Sequence, residues 1–141
     1  MDYVISSAES MSGDEVPVFA AIAIDKKIIS IASNEVESSK KPWFHAEFLA
    51  IEKACEFLKS KYLDNASLYV TLEPCAFCSA AIEKVRLKNI FFGAYDSKCG
   101  AIVHNIRLFE YSLVKPNIVG GIQETRCSKI ITNFFKDLRK Q

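Results

Sequence analysis

The sequence predicts an α/β domain whose mixed sheet is covered by helices on both faces. Three observations carry that expectation. Two apolar, β-branched segments separated by a short polar break read as a hairpin. Helical and extended patterns then alternate along the rest of the chain. No repeat, low-complexity stretch or Pro/Gly-rich linker divides the 141 residues, so residues 1–141 are expected to form one unit.

Residues 3–12 fit a short polar helix ending near Gly13. Val16–Ala23 and Ile28–Ala32 flank Asp25-Lys26-Lys27, the break of the hairpin. Ser33–Lys41 is polar and reads as a loop, with Pro42 ahead of Trp43. From His45 to Lys59 the period becomes helical: Phe48, Ile51, Cys55 and Leu58 recur at spacings of three and four, opposite Glu52, Lys53, Glu56 and Lys59. Ser67–Leu72 is a strand that stops at Glu73-Pro74, and Cys75–Arg86 is a helix opened by that proline. Asn89–Ala94 is a further strand, and Lys115–Ile122 holds another behind Pro116. Gln123–Lys140 closes the chain as a helix with Ile130, Ile131, Phe134, Phe135 and Leu138 as its apolar stripe.

Composition narrows the function classes. Hydrophobic residues make up 50% and charged residues 25%, the balance of a globular protein. No apolar run approaches the roughly 18 to 20 residues that span a bilayer. Met1–Asp14 carries Asp2, Glu9 and Asp14 and no basic residue, unlike a secretory signal, so a cytoplasmic location without membrane attachment is expected. The net charge of +1 offers no overall attraction to nucleic acid. From Arg107 onward, however, seven basic residues face three acids, an excess that suits phosphates and equally suits a solvated helix face. Five cysteines, an odd number with no export signal, point to metal binding or burial and away from a disulfide framework.

Two segments carry the chemistry: His45-Ala46-Glu47 and, with its first cysteine 30 residues after that histidine, Pro74-Cys75-Ala76-Phe77-Cys78. Each opens a helix. Cys75 and Cys78, three apart, emerge from one side of a first turn, where free N–H groups and the helix dipole favour thiolate. Two thiolates and a neutral imidazole balance Zn²⁺ and leave one position for water, the pattern of a catalytic site. Such a water has its pKa lowered to roughly 7, and Glu47 is the group expected to move its proton. Positions i and i+2 diverge inside a helix, so His45 must stand at the helix entry for both side chains to converge. Alone, a CxxC is often a structural half-site or a redox pair, and an HxE means little. Their combination, with proline before the first cysteine, is the signature of zinc deaminases.

The chain resembles the bacterial tRNA-specific adenosine deaminases over about Glu15 to Arg139. The resemblance rests on EVPV (15–18), Asn34, HAEFLAI (45–51), LYVTLEPCAFC (68–78), FFGAYDSKCGA (91–101) and the terminal NFFKDLRKQ. It implies a cytidine deaminase-like, three-layer α/β/α sandwich with a five-stranded mixed sheet, a homodimer, and one Zn²⁺ per subunit. It further implies hydrolytic conversion of adenosine to inosine at the wobble position of an arginine tRNA, with zinc hydroxide attacking C6. The partner would be the anticodon stem-loop. Asn34 and the backbone around Ala46 would read the flipped base, Asp96 would contact the neighbouring sugar or backbone, and Phe134, Phe135 and Lys98 would line the loop surface. Core packing is the competing expectation for one of the two phenylalanines, and a plain turn for Asp96.

Four departures from the family pattern bear on the pocket. Phe19 replaces a common glycine and is expected to alter packing behind it. Trp43-Phe44 is bulkier than usual and would narrow or reshape it. Tyr95 replaces a basic residue beside Asp96, and Cys99 stands where threonine is common. Cys55, Cys99 and Cys127 are expected to be packed thiols, and His104 a loop or surface histidine. The alternative activity is zinc-dependent deamination of free guanine, cytosine or related nucleosides. A non-catalytic zinc module is a third reading, against which Glu47 argues.

Overall fold

The computed structural model describes residues 1–141. Five strands form one mixed sheet: β1 (Phe19–Ile24), β2 (Lys27–Ser33), β3 (Ser67–Leu72), β4 (Asn89–Ala94) and β5 (Asn117–Val119). Their order across the sheet is β2-β1-β3-β4-β5. β1 runs antiparallel to both β2 and β3, whereas β3, β4 and β5 are parallel. The helices are α1 (Asp2–Glu9), α2 (Val36–Ser39), α3 (Ala46–Leu58), α4 (Ala76–Val85) and α5 (Glu124–Arg139). α3 and α4 cover one face of the sheet, and α1 and α5 lie side by side on the other. The three-layer arrangement is the one expected from the resemblance.

Local chemistry explains most boundaries. The hairpin turn is the dipeptide Asp25-Lys26, both residues at positive φ, which matches the twist of a two-residue connection. Val16–Val18 stay outside β1, and β2 runs on through Ser33. The stretch expected to be wholly loop contains the single turn of α2, whose N–H groups at Glu37 and Ser38 are taken by the Glu15 carboxylate. α1 is shorter than expected and ends at Ser10, before the turn at Gly13. α3 and α4 stop at left-handed Lys59 and Arg86. β5 keeps only Asn117–Val119 of the longer expected strand.

The face α3 buries differs from the expected stripe. Ala46, Ala50 and Ala54 are wholly buried, with Leu49 and Ile51, whereas Phe48 and Cys55 sit at the margin of the core and Leu58 is exposed. Alanines at every fourth position let the helix backbone settle close onto the sheet, against Ala20, Ile22, Leu68 and Val70. α5 also departs from expectation. Of its residues only Cys127 is buried, packed with Ile5 and Ala94, and the stripe beyond it becomes progressively exposed, with Phe135 and Leu138 open. Its second half lies between two grooves, which leaves those side chains partly open.

Candidate active site

The carboxyl ends of β2, β3 and β4 and the start of β1 all reach one edge of the sheet, where ligands bind in α/β folds. A cleft of about 760 Å³ opens there, and His45, Glu47 and Cys75 lie in its wall. α3 and α4 both begin at it. His45 is the N-cap of α3 and Cys75 that of α4; both have extended, non-helical backbone. That conformation lets His45 and Glu47 face the same space despite their spacing.

His45 Nδ1 lies 3.6 Å from Cys75 Sγ and 3.5 Å from Cys78 Sγ. All three ligand atoms fall within 4.8 Å of one another. Tetrahedral zinc, with bonds near 2.3 Å to sulfur and 2.0–2.1 Å to nitrogen, sets sulfur-to-nitrogen edges of about 3.6 Å. The group therefore fits a metal of that size, and no fourth His, Cys, Asp or Glu joins it. The thiols are electrostatically unequal. The Cys78 thiol donating toward it, together with His45, holds Cys75 down to about 4, while Cys78 is driven well up by Cys75 and by its own burial. The Cys75 sulfur in turn raises the His45 pKa against the effect of burial.

Glu47 is only 5% exposed, and burial raises its pKa above the ordinary carboxylate range. Burial thus favours its protonated form relative to a free carboxyl, which suits a group that both takes and returns a proton. Asn34 also lines the cleft, and its Oδ1 accepts the Ala46 N–H at 2.8 Å. This bond orients the amide with Nδ2 away from α3. The same bond engages the Ala46 N–H, one donor of the backbone expected to help read a base, and Ala46 itself is fully buried.

Asp96, Lys98, Tyr95, Cys99 and Phe135 all line the same cleft, with Arg139 at the end of α5. Phe134 does not. It lines a separate groove of about 600 Å³ on the other side of α5, with Met11, Ile130 and Leu138. Adjacent helical residues differ by about 100° in direction, so the two rings, although in edge-to-face contact with centroids 5.2 Å apart, line different grooves. Trp43 and Phe44 also stay out of the cleft. They join Phe48 and Phe77 in a chain of aromatic contacts with centroids 5.5–6.3 Å apart. Their bulk is taken up in that chain and not in the cleft lining. Phe19 packs edge-on against Tyr3 of α1. Cys127 is buried and Cys55 half-buried as expected, but Cys99 is exposed.

Sequence reasoning assigned no role to Glu73 and did not foresee a partner for His104, which lies in a loop and is partly exposed, as expected. Glu73 is buried and bonded to His104 Nδ1 at 2.9 Å. Burial alone would raise its pKa, but N–H donors from Asp96, His104, Val103 and Ile102 hold it below the usual range. The available signal was an acid between apolar Leu72 and Pro74 at the end of an internal strand, where a charge needs dedicated partners.

Comparison with known proteins agrees with this geometry. Residues 3–139 match the MafB19-like deaminase family. A tRNA-specific adenosine deaminase of Rickettsia felis is 43% identical over 89% of this chain and 90% of its own length. The tRNA-specific adenosine deaminase of Bacillus subtilis is 37% identical over 90% of this chain and 80% of its own. A solved structure from a study of A-to-I editing by tRNA:A34 deaminases at the wobble position superposes with a TM-score of 0.87. It shares 34% identity and covers 92% of this chain and 96% of that one.

Proposed function

Because the chain belongs to the MafB19-like deaminases, and within them to the tRNA-specific adenosine deaminases, we propose that it converts adenosine to inosine at the wobble position of a tRNA anticodon, with an arginine tRNA as substrate. The observation that carries the chemistry is the convergence of His45 Nδ1 and the two cysteine sulfurs at the edge lengths of a tetrahedral zinc, beside the buried Glu47 carboxyl.

His45, Cys75 and Cys78 would hold one Zn²⁺ per subunit, and zinc there would supply the nucleophile by lowering the pKa of water to roughly 7. Glu47 takes the proton released in the attack on C6 and delivers it to N1 of the ring. A second proton passes through the same carboxyl to the exocyclic nitrogen, which leaves as ammonia, so that adenosine and water become inosine and ammonia. Burial serves this cycle by bringing the carboxylate and carboxylic acid closer in energy. Asn34, oriented by Ala46, presents Nδ2 to an acceptor on the base. Asp96 and Lys98 meet the flanking sugar and phosphate, and Phe135 offers a ring on which a neighbouring base can stack. The cleft has room for nucleotides beside the flipped base, and an anticodon-loop base is already partly unstacked, which lowers the cost of extrusion.

The protein acts as a homodimer in the cytoplasm in this reading. Support for self-association comes from the aromatic chain beside α3 and α4, in which Trp43 is 46% and Phe77 48% exposed. No helix is long and apolar enough to cross a membrane. The test is to incubate the protein with a transcribed arginine anticodon stem-loop and, separately, with free guanine, cytosine and adenosine. Inosine in the RNA is the expected product. Ammonia from a free base with no inosine in RNA would overturn the reading.

A further inference from the structure

We propose that Glu73 is a positioning residue for substrate binding: its buried carboxylate gathers segment 96–104 onto the end of β3, so that Asp96 and Lys98 face the cleft. The inference rests on the reading of the cleft given above and assigns what holds its wall in place. Between β4 and β5 the chain has only the short turn of 3₁₀ helix at Leu108–Glu110 as regular structure. Something other than a ladder must therefore define the path of residues 96–104.

One side chain supplies most of it. Glu73 is 2% exposed. Its Oε2 accepts N–H groups from Ile102, Val103 and His104 at 3.1, 3.0 and 3.2 Å. Its Oε1 accepts the Asp96 N–H at 3.0 Å and faces His104 Nδ1 at 2.9 Å. Both ends of the segment thus converge on one carboxylate. The middle is arranged around that anchor. Asp96 Oδ1 accepts the Lys98 and Cys99 N–H groups, and Asn105 Nδ2 donates to the Gly100 carbonyl at 2.7 Å. At Gly100 a Cβ would collide with Glu73 and with the Asp96 carbonyl, so the backbone approaches too closely for any side chain. Gly100 also bridges to Cys75. The wall that would meet RNA is therefore tied to the strand end that leads into the zinc ligands.

The carboxylate cannot be replaced by its neutral isostere. Every group facing Glu73 through the backbone is a donor, and glutamine turns one of its two acceptors into a donor. If its oxygen serves Ile102, Val103 and His104, its NH₂ opposes the N–H of Asp96, the residue that lines the cleft.

The experiment compares wild type, Glu73→Gln and His104→Ala for metal content, for kcat and KM on the arginine anticodon stem-loop, and for amide hydrogen exchange over residues 96–104. Glu73→Gln is expected to keep wild-type zinc, to raise KM about tenfold with kcat within about threefold, and to speed exchange of this segment about tenfold. His104→Ala, which removes one of the five donors, should move KM and exchange the same way by less. A purely structural role would lower thermal stability while leaving KM and local exchange of the folded protein unchanged, and that result would overturn the proposal. So would loss of zinc, or a fall in kcat at constant KM, since either would place the effect on the metal side. If Glu73→Gln fails to fold, His104→Ala decides on the same readouts. Should wild type form no inosine in RNA, the proposed activity fails instead, and hydrogen exchange alone still shows whether Glu73 holds the segment.

Discussion

Among single residues, Glu47 and Cys78 separate the two jobs of the site. Both are buried, but one is the proposed proton carrier and the other belongs to the His-Cys-Cys group that could hold a metal. Glu47→Ala is expected to retain about one zinc per chain and lose activity by about 10²- to 10⁴-fold, as removal of a placed acid/base does. Cys78→Ala should lose the metal, and thermal melting should show a less stable fold. Metal analysis alongside turnover distinguishes them, and wild-type activity in Glu47→Ala would remove the proposed shuttle. Glu15 acts far from the chemistry. Burial tends to raise its pKa, but the Glu37 and Ser38 N–H groups at 3.0 and 2.8 Å outweigh burial and lower it. A carboxylate whose pKa falls on folding stabilises fully above its unfolded value of 4.5, and that contribution vanishes as pH drops through the lower folded value. Glu15→Gln should therefore cost about 0.5–1 kcal/mol at pH 7, discounted for solvent exposure, and nothing in strong acid. Melting curves across pH 2–7 check the sign (an increasing penalty on acidification would refute it).

α5 is the element whose role depends most on how it docks. Cys127 pins its first half where Gly93 leaves space: a Cβ at Gly93 would meet the Cys127 side chain and the Thr71 carbonyl. The second half has the active-site cleft on one side and the smaller groove on the other. Phe135 faces the first and Phe134 the second. Base-on-aromatic stacking is worth about 1–3 kcal/mol, so Phe135→Ala should raise the stem-loop KM by roughly five- to a hundredfold. Phe134→Ala should change KM much less. Equal effects from both would mean that α5 docks differently on the RNA-bound enzyme. The amphipathic period announced the helix but gave both rings the same expected surface.

For the whole molecule, the three ligand side chains draw together the starts of two helices, α3 and α4, that lie on one face of the sheet. His45 and Cys75 cap α3 and α4, and their shared position brings the two helix starts together at one edge of the sheet. Chelating the metal should therefore abolish deamination and also lower Tm by roughly 5 °C or more, reversibly on adding zinc back. Loss of activity at unchanged Tm would show that the helices are held without it.

What the sequence by itself determined is local. β3 and β4 run over the expected residues because each is a short apolar run bounded by breakers. The three ligand atoms also meet as expected: His45 and Cys75 are 30 residues apart, but each motif carries its residue types at the entry of its own helix, and the two motifs together form a recognised signature. Tertiary structure alone decided the rest. Glu73 gathers partners 23 to 31 residues away, so no local pattern announces it. Alanine, not the larger apolar residues, became the buried face of α3 because the sheet lies close enough to reward small side chains. Trp43 and Phe44 turned toward Phe48 and Phe77, away from the cleft, since the direction of a side chain on an irregular approach follows its neighbours in space. Periodicity can say that a face is apolar; only docking against another element says what that face meets.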